Sequence, residues 1–226
     1  MVGGRTPAKL EQVVKAIVDA GGRAGSVALD VCDEASVKAA FTTIERDFGP
    51  VGILVNNAGV IHSNLVQHTT LTAFRRVIDT NLTGAFLCTR EAIGPMTTQG
   101  WGRIINIGST GARVGFKFAS AYCASKHALV GLTRAVALEV AESGITVNTL
   151  CPGFTDTDMV AESAAKLQVT AGLSLDEARA ALAAMNPIKR FIAPIEVAQF
   201  VAYLASDAAS AIHGQTLSID GGESMG

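Results

Sequence analysis

Apolar positions along the chain alternate between a helical and an extended rhythm. After Thr6-Pro7, a cap with proline at the first helical position, Leu10, Val13, Val14, Ile17 and Val18 recur at helical spacing until Gly21-Gly22 stop the run. Ser26 to Asp30 reads as a short buried strand ending on an acid. Asp33 then caps a helix with Val37, Phe41 and Ile44 on its apolar face. Val51 to Val55 is an unbroken apolar run followed at once by Asn56-Asn57-Ala58-Gly59, the form of a buried parallel strand with small and amide residues at its carboxyl end. A long helical pattern from about Leu71 to Met96 contains Thr80-Asn81-Leu82-Thr83-Gly84. Asn and Gly are poor residues for a helix interior, so an irregularity is expected there.

The second half continues the alternation. Gly102 to Ile107 predicts a strand ending at Gly108-Ser109, and the helix carrying Tyr122 and Lys126 runs to about Glu142. Ile145 to Leu150 predicts another strand, ending in Cys151-Pro152-Gly153. Residues 157–185 are alanine-rich and amphipathic, and the capping box Ser174-Leu175-Asp176-Glu177 divides them into two helices. Pro194 starts a helix through Phe200 and Leu204, and Gln215 to Ile219 is the last strand, before Asp220-Gly221-Gly222. Strands alternating with helices predict an α/β fold, a doubly wound parallel sheet with helices on both faces, in three layers. Ligands bind outside the carboxyl ends of such strands, which here carry Asp30, Asn56 to Gly59, Ser109 and Pro152-Gly153.

Composition narrows the function. With 226 residues, the chain is expected to form a single domain. Hydrophobic residues make up 49% and charged residues 17%, with a net charge of −2 and no basic block, which argues against nucleic acid as a partner. Cys32, Cys88, Cys123 and Cys151 are scattered without metal-ligand spacing, so no metal is expected and reduced thiols are. No leader or apolar run of membrane-spanning length is visible, and a soluble, cytoplasmic protein is expected.

The candidate chemistry lies between Ser109 and Lys126. Tyr122 and Lys126 are four apart and share a helix face. An ammonium about 5 Å from a phenol, at an effective dielectric of about 20, favours the phenolate by roughly 3 kcal/mol, about two pK units. That would bring a tyrosine toward the range of general acid–base work, and Ser109 on the adjoining strand end can hold a substrate oxygen beside it. The reaction suggested is proton transfer at a carbonyl or alcohol oxygen.

With these residues assembled, the chain resembles the short-chain dehydrogenase/reductase family in its single-domain, Rossmann-like form, over nearly all of its length. Asn56 to Gly59 match the family's Asn-Asn-Ala-Gly, Ser109 its serine, Tyr122 and Lys126 its Tyr-x-x-x-Lys, Asn81 its helix asparagine, Pro152-Gly153 its Pro-Gly, and Thr157 its downstream threonine. The resemblance implies a catalytic tetrad of Asn81, Ser109, Tyr122 and Lys126. Tyr122 would be the acid in reduction and the base in oxidation, and Asn81 would hold a water for a relay through Lys126. It also implies a nicotinamide cofactor bordered by Asp30 and Val31 at the adenine, lined by Asn57, Ala58 and Gly59, and held by Tyr122, Lys126, Pro152, Gly153, Thr155 and Thr157. The implied function is an NAD(P)-dependent oxidoreductase that interconverts a carbonyl and a secondary alcohol. A 3-oxoacyl reductase or 3-hydroxyacyl dehydrogenase is the leading substrate class, and residues 157–190 would be a substrate-covering lid.

One departure is large. The family's first strand and its Thr-Gly-x-x-x-Gly-x-Gly loop, which brings backbone N–H groups to the pyrophosphate, are not found, and the match begins where the family's second strand ends. The fold is therefore expected to be N-terminally truncated, with a rearranged fold as the alternative, and the Val27–Asp30 strand is expected to lose its neighbour. Gly4 stands at the expected acid position and Arg5 follows, a pattern similar to that of NADP-preferring members, with NAD as the other possibility. A competing reading is a non-catalytic protein of this fold acting through assembly; an epimerase or dehydratase is a weaker third. Apolar residues on more than one face of the two long helices, with Leu87 and Ile93 read as facing outward, predict a homodimer or homotetramer, as the resemblance also implies.

Overall fold

In the computed structural model, which describes residues 1–225, every strand pairing is parallel. The strands are β1 (Val2–Gly4), β2 (Ser26–Ala28), β3 (Ile53–Asn56), β4 (Gly102–Ile107), β5 (Ile145–Pro152) and β6 (Thr216–Ile219). Between them run α1 (Pro7–Asp19), α2 (Glu34–Phe48), α3 (Leu71–Ile78), α4 (Gly84–Gln99), α5 (Ser120–Glu139), α6 (Asp158–Ala171), α7 (Leu175–Met185) and α8 (Pro194–Leu204). Successive residues of a strand face opposite sides of the sheet, and both sides of β4 are covered. Ile104 packs with Met96 of α4 and Val136 of α5, while Ile105 packs with Leu204 at the end of α8. This is the expected three-layer arrangement. It explains why β4 and β5 are buried along almost their whole length.

The strands form two sheets, β1-β2 and β3-β4-β5-β6. The expectation that the Val27–Asp30 strand has no neighbour is overturned, because β1 lies in parallel register beside it, Val2 opposite Ser26 and Gly4 opposite Ala28. The Leu29 side chain lies over Gly3, where a Cβ would stand 2.8 Å from its Cδ2. No strand pairing joins the two sheets, and β3 is an edge strand of the larger one. On β3, Ile53 and Val55 are 46% and 40% exposed.

The irregularity expected near Asn81 is a π-turn over Asp79–Thr83, between α3 and α4. A π-turn carries one more residue than an α-turn and advances the phase of everything after it. A helical wheel drawn from 71 to 96 as one α-helix therefore misplaces the faces of α4. Leu87 and Ile93 do not face outward: Leu87 is buried with Val37 and Cys88, and Ile93 packs against the cluster of Met96 and Ile104. The exposed residue is Phe86.

Residues 157–190 hold two helices, as the capping box predicts. Ser174 Oγ accepts from Glu177 N at 3.2 Å, and Glu177 Oε2 accepts from Ser174 N at 2.8 Å. Ala164 of α6 packs on Ala178 and Leu182 of α7.

Candidate active site

Four buried polar side chains meet at the carboxyl end of β4. Ser109 follows the strand, Tyr122 lies in the first turn of α5, Lys126 lies one turn on, and Asn81 comes from the π-turn. Lys126 Nζ is 5.8 Å from the centre of the Tyr122 ring and donates to Ile107 O at 2.6 Å. Asn81 is fully engaged. Its Oδ1 accepts from Val60 N at 2.8 Å, and its Nδ2 donates to Val60 O at 2.9 Å and to Ser125 Oγ at 3.0 Å. Ser125 in turn donates to Tyr122 O at 2.7 Å. Asn81 thus ties the loop after β3 to the helix that carries the tyrosine. Gly59 passes between, with its Cβ direction 3.5 Å from Asn81 Oδ1 and 3.7 Å from Lys126 Nζ.

Burial sets the electrostatics. It pushes the Lys126 ammonium down to about 8, with the neighbouring Cys151 thiol opposing it. Burial also raises the Tyr122 phenol, while hydrogen bonding to Ser109 draws it down. The expectation that Lys126 depresses Tyr122 is not met. The lysine is itself desolvated and turned onto the Ile107 carbonyl, and removal of the phenol from water is the largest influence on Tyr122, with the Ser109 hydrogen bond the one opposing it.

Asn56 does not reach the cleft. Its Nδ2 donates to Asn106 Oδ1 at 2.8 Å, Asn106 Nδ2 donates to Thr133 Oγ1 at 2.8 Å, and Thr133 pairs with Thr149 at 2.7 Å. This buried polar row, satisfied at each link, fastens β3, β4, α5 and β5 beneath the site. Asn57 and Ala58 are exposed just beyond it.

The other expected cofactor contacts are partly used inside the protein. Asp30 Oδ1 accepts from Cys32 N at 3.0 Å, and Val31 packs on Gly84 at the start of α4. Thr155 Oγ1 donates to Gly153 O at 3.0 Å, and Thr157 Oγ1 donates to Thr155 O at 3.2 Å. Pro152 ends β5, Gly153 follows it, and Thr157 is exposed at the mouth of α6. Arg5 is exposed beyond β1.

The two ends of a dinucleotide therefore fit differently. Lys126 has N–H donors beyond the one on Ile107 to offer a ribose, beside Tyr122, Gly59 and the open Asn57-Ala58 backbone. Gly3 and Gly4, in contrast, are strand residues flanked by the Leu29 and Leu10 side chains, and among the described residues they form no cradle of N–H groups for a pyrophosphate.

Motif reading does not reach three further neighbours of the site. Cys151 lies behind Lys126 and Ser109, burial raises its thiol, and it reads in sequence as an ordinary core cysteine. Thr110 and Glu223 are hydrogen-bonded to each other at 3.0 Å, although 113 residues apart. The only sequence signal for Glu223 is its place just past the end of β6. Among the described residues no cluster of His, Cys, Asp and Glu is arranged for a metal ion. No described helix is long and apolar enough to cross a membrane.

Comparison with known proteins agrees with this geometry. The model of the family described as enoyl-(acyl carrier protein) reductase matches residues 3–224. A putative ketoacyl reductase of Streptomyces coelicolor is 39% identical over 215 residues, 94% of this chain and 82% of the relative. A cis-4-hydroxycyclohexanecarboxylate dehydrogenase of Sinomonas cyclohexanicum is 42% identical over 213 residues, 94% of this chain and 81% of the relative. A crystal structure of a variant actinorhodin polyketide ketoreductase with NADPH superposes with a TM-score of 0.96 at 36% identity, covering 100% of this chain and 87% of that one. The chain belongs to the short-chain dehydrogenase/reductase family, and it is an oxidoreductase acting between a carbonyl and an alcohol with a nicotinamide cofactor.

Proposed function

We propose that the protein is an NADP-preferring carbonyl reductase whose tetrad is Asn81, Ser109, Tyr122 and Lys126, acting on 3-oxoacyl or cyclic ketone substrates. The observation that carries this reading is the convergence of Tyr122 and Lys126 with Ser109 at the end of β4, all buried. The cofactor supplies the hydride. Ser109 holds the substrate oxygen against the Tyr122 hydroxyl. A phenol raised by burial keeps its proton at neutral pH, so Tyr122 serves as the acid that protonates the oxygen in reduction. Lys126 orients the ribose. Asn81, its side chain bonded on both sides, positions the Gly59–Val60 turn and the base of α5. The remaining site residues proposed to line the cofactor are Asp30, Val31, Asn57, Ala58, Gly59, Pro152, Gly153, Thr155 and Thr157, with residues 157–190 as the lid.

Two relatives support the substrate classes: one named for ketoacyl reduction, the other for a hydroxylated cyclohexane acid. NADP is favoured by the exposed Arg5 beside β1 and by the NADPH named in the structural neighbour. The polypeptide of residues 1–226 should reduce a 3-oxoacyl thioester or a cyclohexanone acid only at high NADPH. Fluorescence titration should give a dissociation constant above roughly a tenth of a millimolar, because phosphate contacts are few. Arg5→Ala should narrow the preference for NADPH over NADH. Micromolar NADPH affinity would refute the weak-binding expectation, and no turnover of either substrate class would refute the reading.

Assembly through α4 and α5 is part of the proposal, and so is a cytoplasmic location. Phe86 on α4 and Leu138, 82% exposed on α5, are large apolar residues facing solvent, and Ala128 and Ala135 on α5 permit close approach. A two-fold homodimer or homotetramer should appear in sedimentation as a discrete mass, and Phe86→Asp should weaken it. A monomer at micromolar concentration would remove this part.

A further inference from the structure

The C-terminal turn after β6 is held at several points. Asp220 is buried. Its Oδ1 accepts from Gly222 N at 3.0 Å, and its Oδ2 accepts from Ser224 N at 3.0 Å and from the Ser224 hydroxyl. Asp220 O accepts from Asn186 Nδ2 at 2.8 Å, and Asn186, wholly buried, ends α7. The turn is thereby pinned to the lid on one side. On the other it projects Glu223 between the carboxyl ends of β4 and β5. Glu223 Oε1 accepts from Thr110 Oγ1 at 3.0 Å, and Oε2 is enclosed without a hydrogen-bond partner. Burial raises the Glu223 carboxyl, and the Thr110 hydroxyl and the Phe154 N–H, which lies near without completing a bond, oppose it. Gly153 makes the room, since a Cβ there would stand 2.7 Å from Glu223 Oε2.

Thr110 directly follows Ser109, and the two share one short turn. Ser109 Oγ accepts from Gly111 N at 3.0 Å, and Ala112 N donates to Ser109 O at 2.9 Å. Fixing Thr110 from outside the turn fixes the direction of the Ser109 hydroxyl. A half-buried carboxylate with an unpaired oxygen is an expensive way to hold one threonine. A purely structural link would be cheaper with apolar residues, so the cost points to a role in the site.

We propose that Glu223 is a positioning residue: through Thr110 it sets the Ser109 hydroxyl that meets Tyr122, and through the Asp220–Asn186 link it joins that setting to the lid. The proposal rests on the reading of Ser109 and Tyr122 given above. The chain has two tyrosines, so NMR of protein labelled at tyrosine Cζ gives two signals, and Tyr122→Phe assigns them. Thr110→Val and Glu223→Ala should shift the Tyr122 signal by the same amount, and the double variant no further, while Tyr203 stays in place as the fold control. Glu223→Gln, which keeps an acceptor oxygen, should leave the Tyr122 signal native. In turnover, Glu223→Ala should lower kcat by roughly tenfold to a hundredfold with KM for the cofactor unchanged. If Glu223→Ala does not fold, a shifted signal in Thr110→Val beside a native one in Glu223→Gln supports the proposal. An unmoved Tyr122 signal in Thr110→Val or Glu223→Ala, additive shifts, or a displaced signal in Glu223→Gln overturns it. These outcomes differ from failure of the catalytic reading, in which Tyr122→Phe itself stays active.

Discussion

Tyr122→Phe should lower kcat by about a thousandfold, within the range a positioned general acid contributes. The substitution removes one hydroxyl and keeps the ring, which packs with Val77, Ala119 and Ala121. Removing the phenol also removes a buried polar group whose main electrostatic cost is desolvation, so the fold should not suffer. The measurement is steady-state reduction at saturating NADPH beside a thermal melt. Loss of activity with an unchanged or raised melting temperature is the expected pair. Parent-like turnover would mean that the proton comes from elsewhere and that Tyr122 is only a wall of the site.

The second large effect concerns Lys126 and is a matter of pH. Its pKa falls from 10.5 to about 8 on folding, a shift worth roughly 3 kcal/mol. Below pH 8 both folded and unfolded chains carry this proton, and the full penalty of a buried charge is present. Between about 8 and 10.5 the unfolded chain holds the proton and the folded chain does not, so stability from this group rises with pH. Cys88 runs the other way: burial raises its thiol from 9.0 to about 11, and its contribution falls with pH across that interval. Denaturant melts of the parent and of Lys126→Met therefore have to be compared at each pH. The variant should be the more stable at pH 7, and its advantage should shrink as pH climbs past 8. A variant less stable than the parent at pH 7, or a gap independent of pH, would show that the lysine is not strained by its burial. The same variant should lose most of its activity, so a function-bearing residue would be shown to oppose the fold that holds it.

The α/β alternation, the strand Gly102–Ile107 and the Ser174 break in the lid were legible in sequence, because each rests on local chemistry. The approximate place of the Asn81 irregularity was legible too. What an irregularity does to the phase of the following helix was not, and Leu87 and Ile93 were misassigned for that reason. The strand Val2–Gly4 was missed because two of its three residues are glycines and its existence depends on a partner twenty-four residues away. The four residues proposed as the tetrad stand out by motif, and the fold brings them together. Their electrostatics were misjudged, because spacing along a helix reports the nearness of a lysine and a tyrosine but not how thoroughly both leave water. Glu223 was invisible: its partner Thr110 is brought to it by the whole sheet.

The division of the strands into two sheets has a consequence for how the chain opens. In α1 only Leu10 is buried, and β1 and β2 are three residues each, so residues 1–28 own little of the apolar core. They lead into Leu29, Val31, Val37 and Phe41, which pack against Leu54, Leu87 and Cys88 and attach the N-terminal part of the chain. Hydrogen exchange of so lightly packed a unit should proceed by a subglobal opening that leaves the four-stranded sheet closed. Arg5, Asp30 and Val31 belong to that unit or to its junction, whereas Tyr122 and Lys126 belong to the closed one. The two ends of one dinucleotide would therefore rest on bodies of unequal opening free energy, and a ligand bridging them would stabilise the weaker body by mass action.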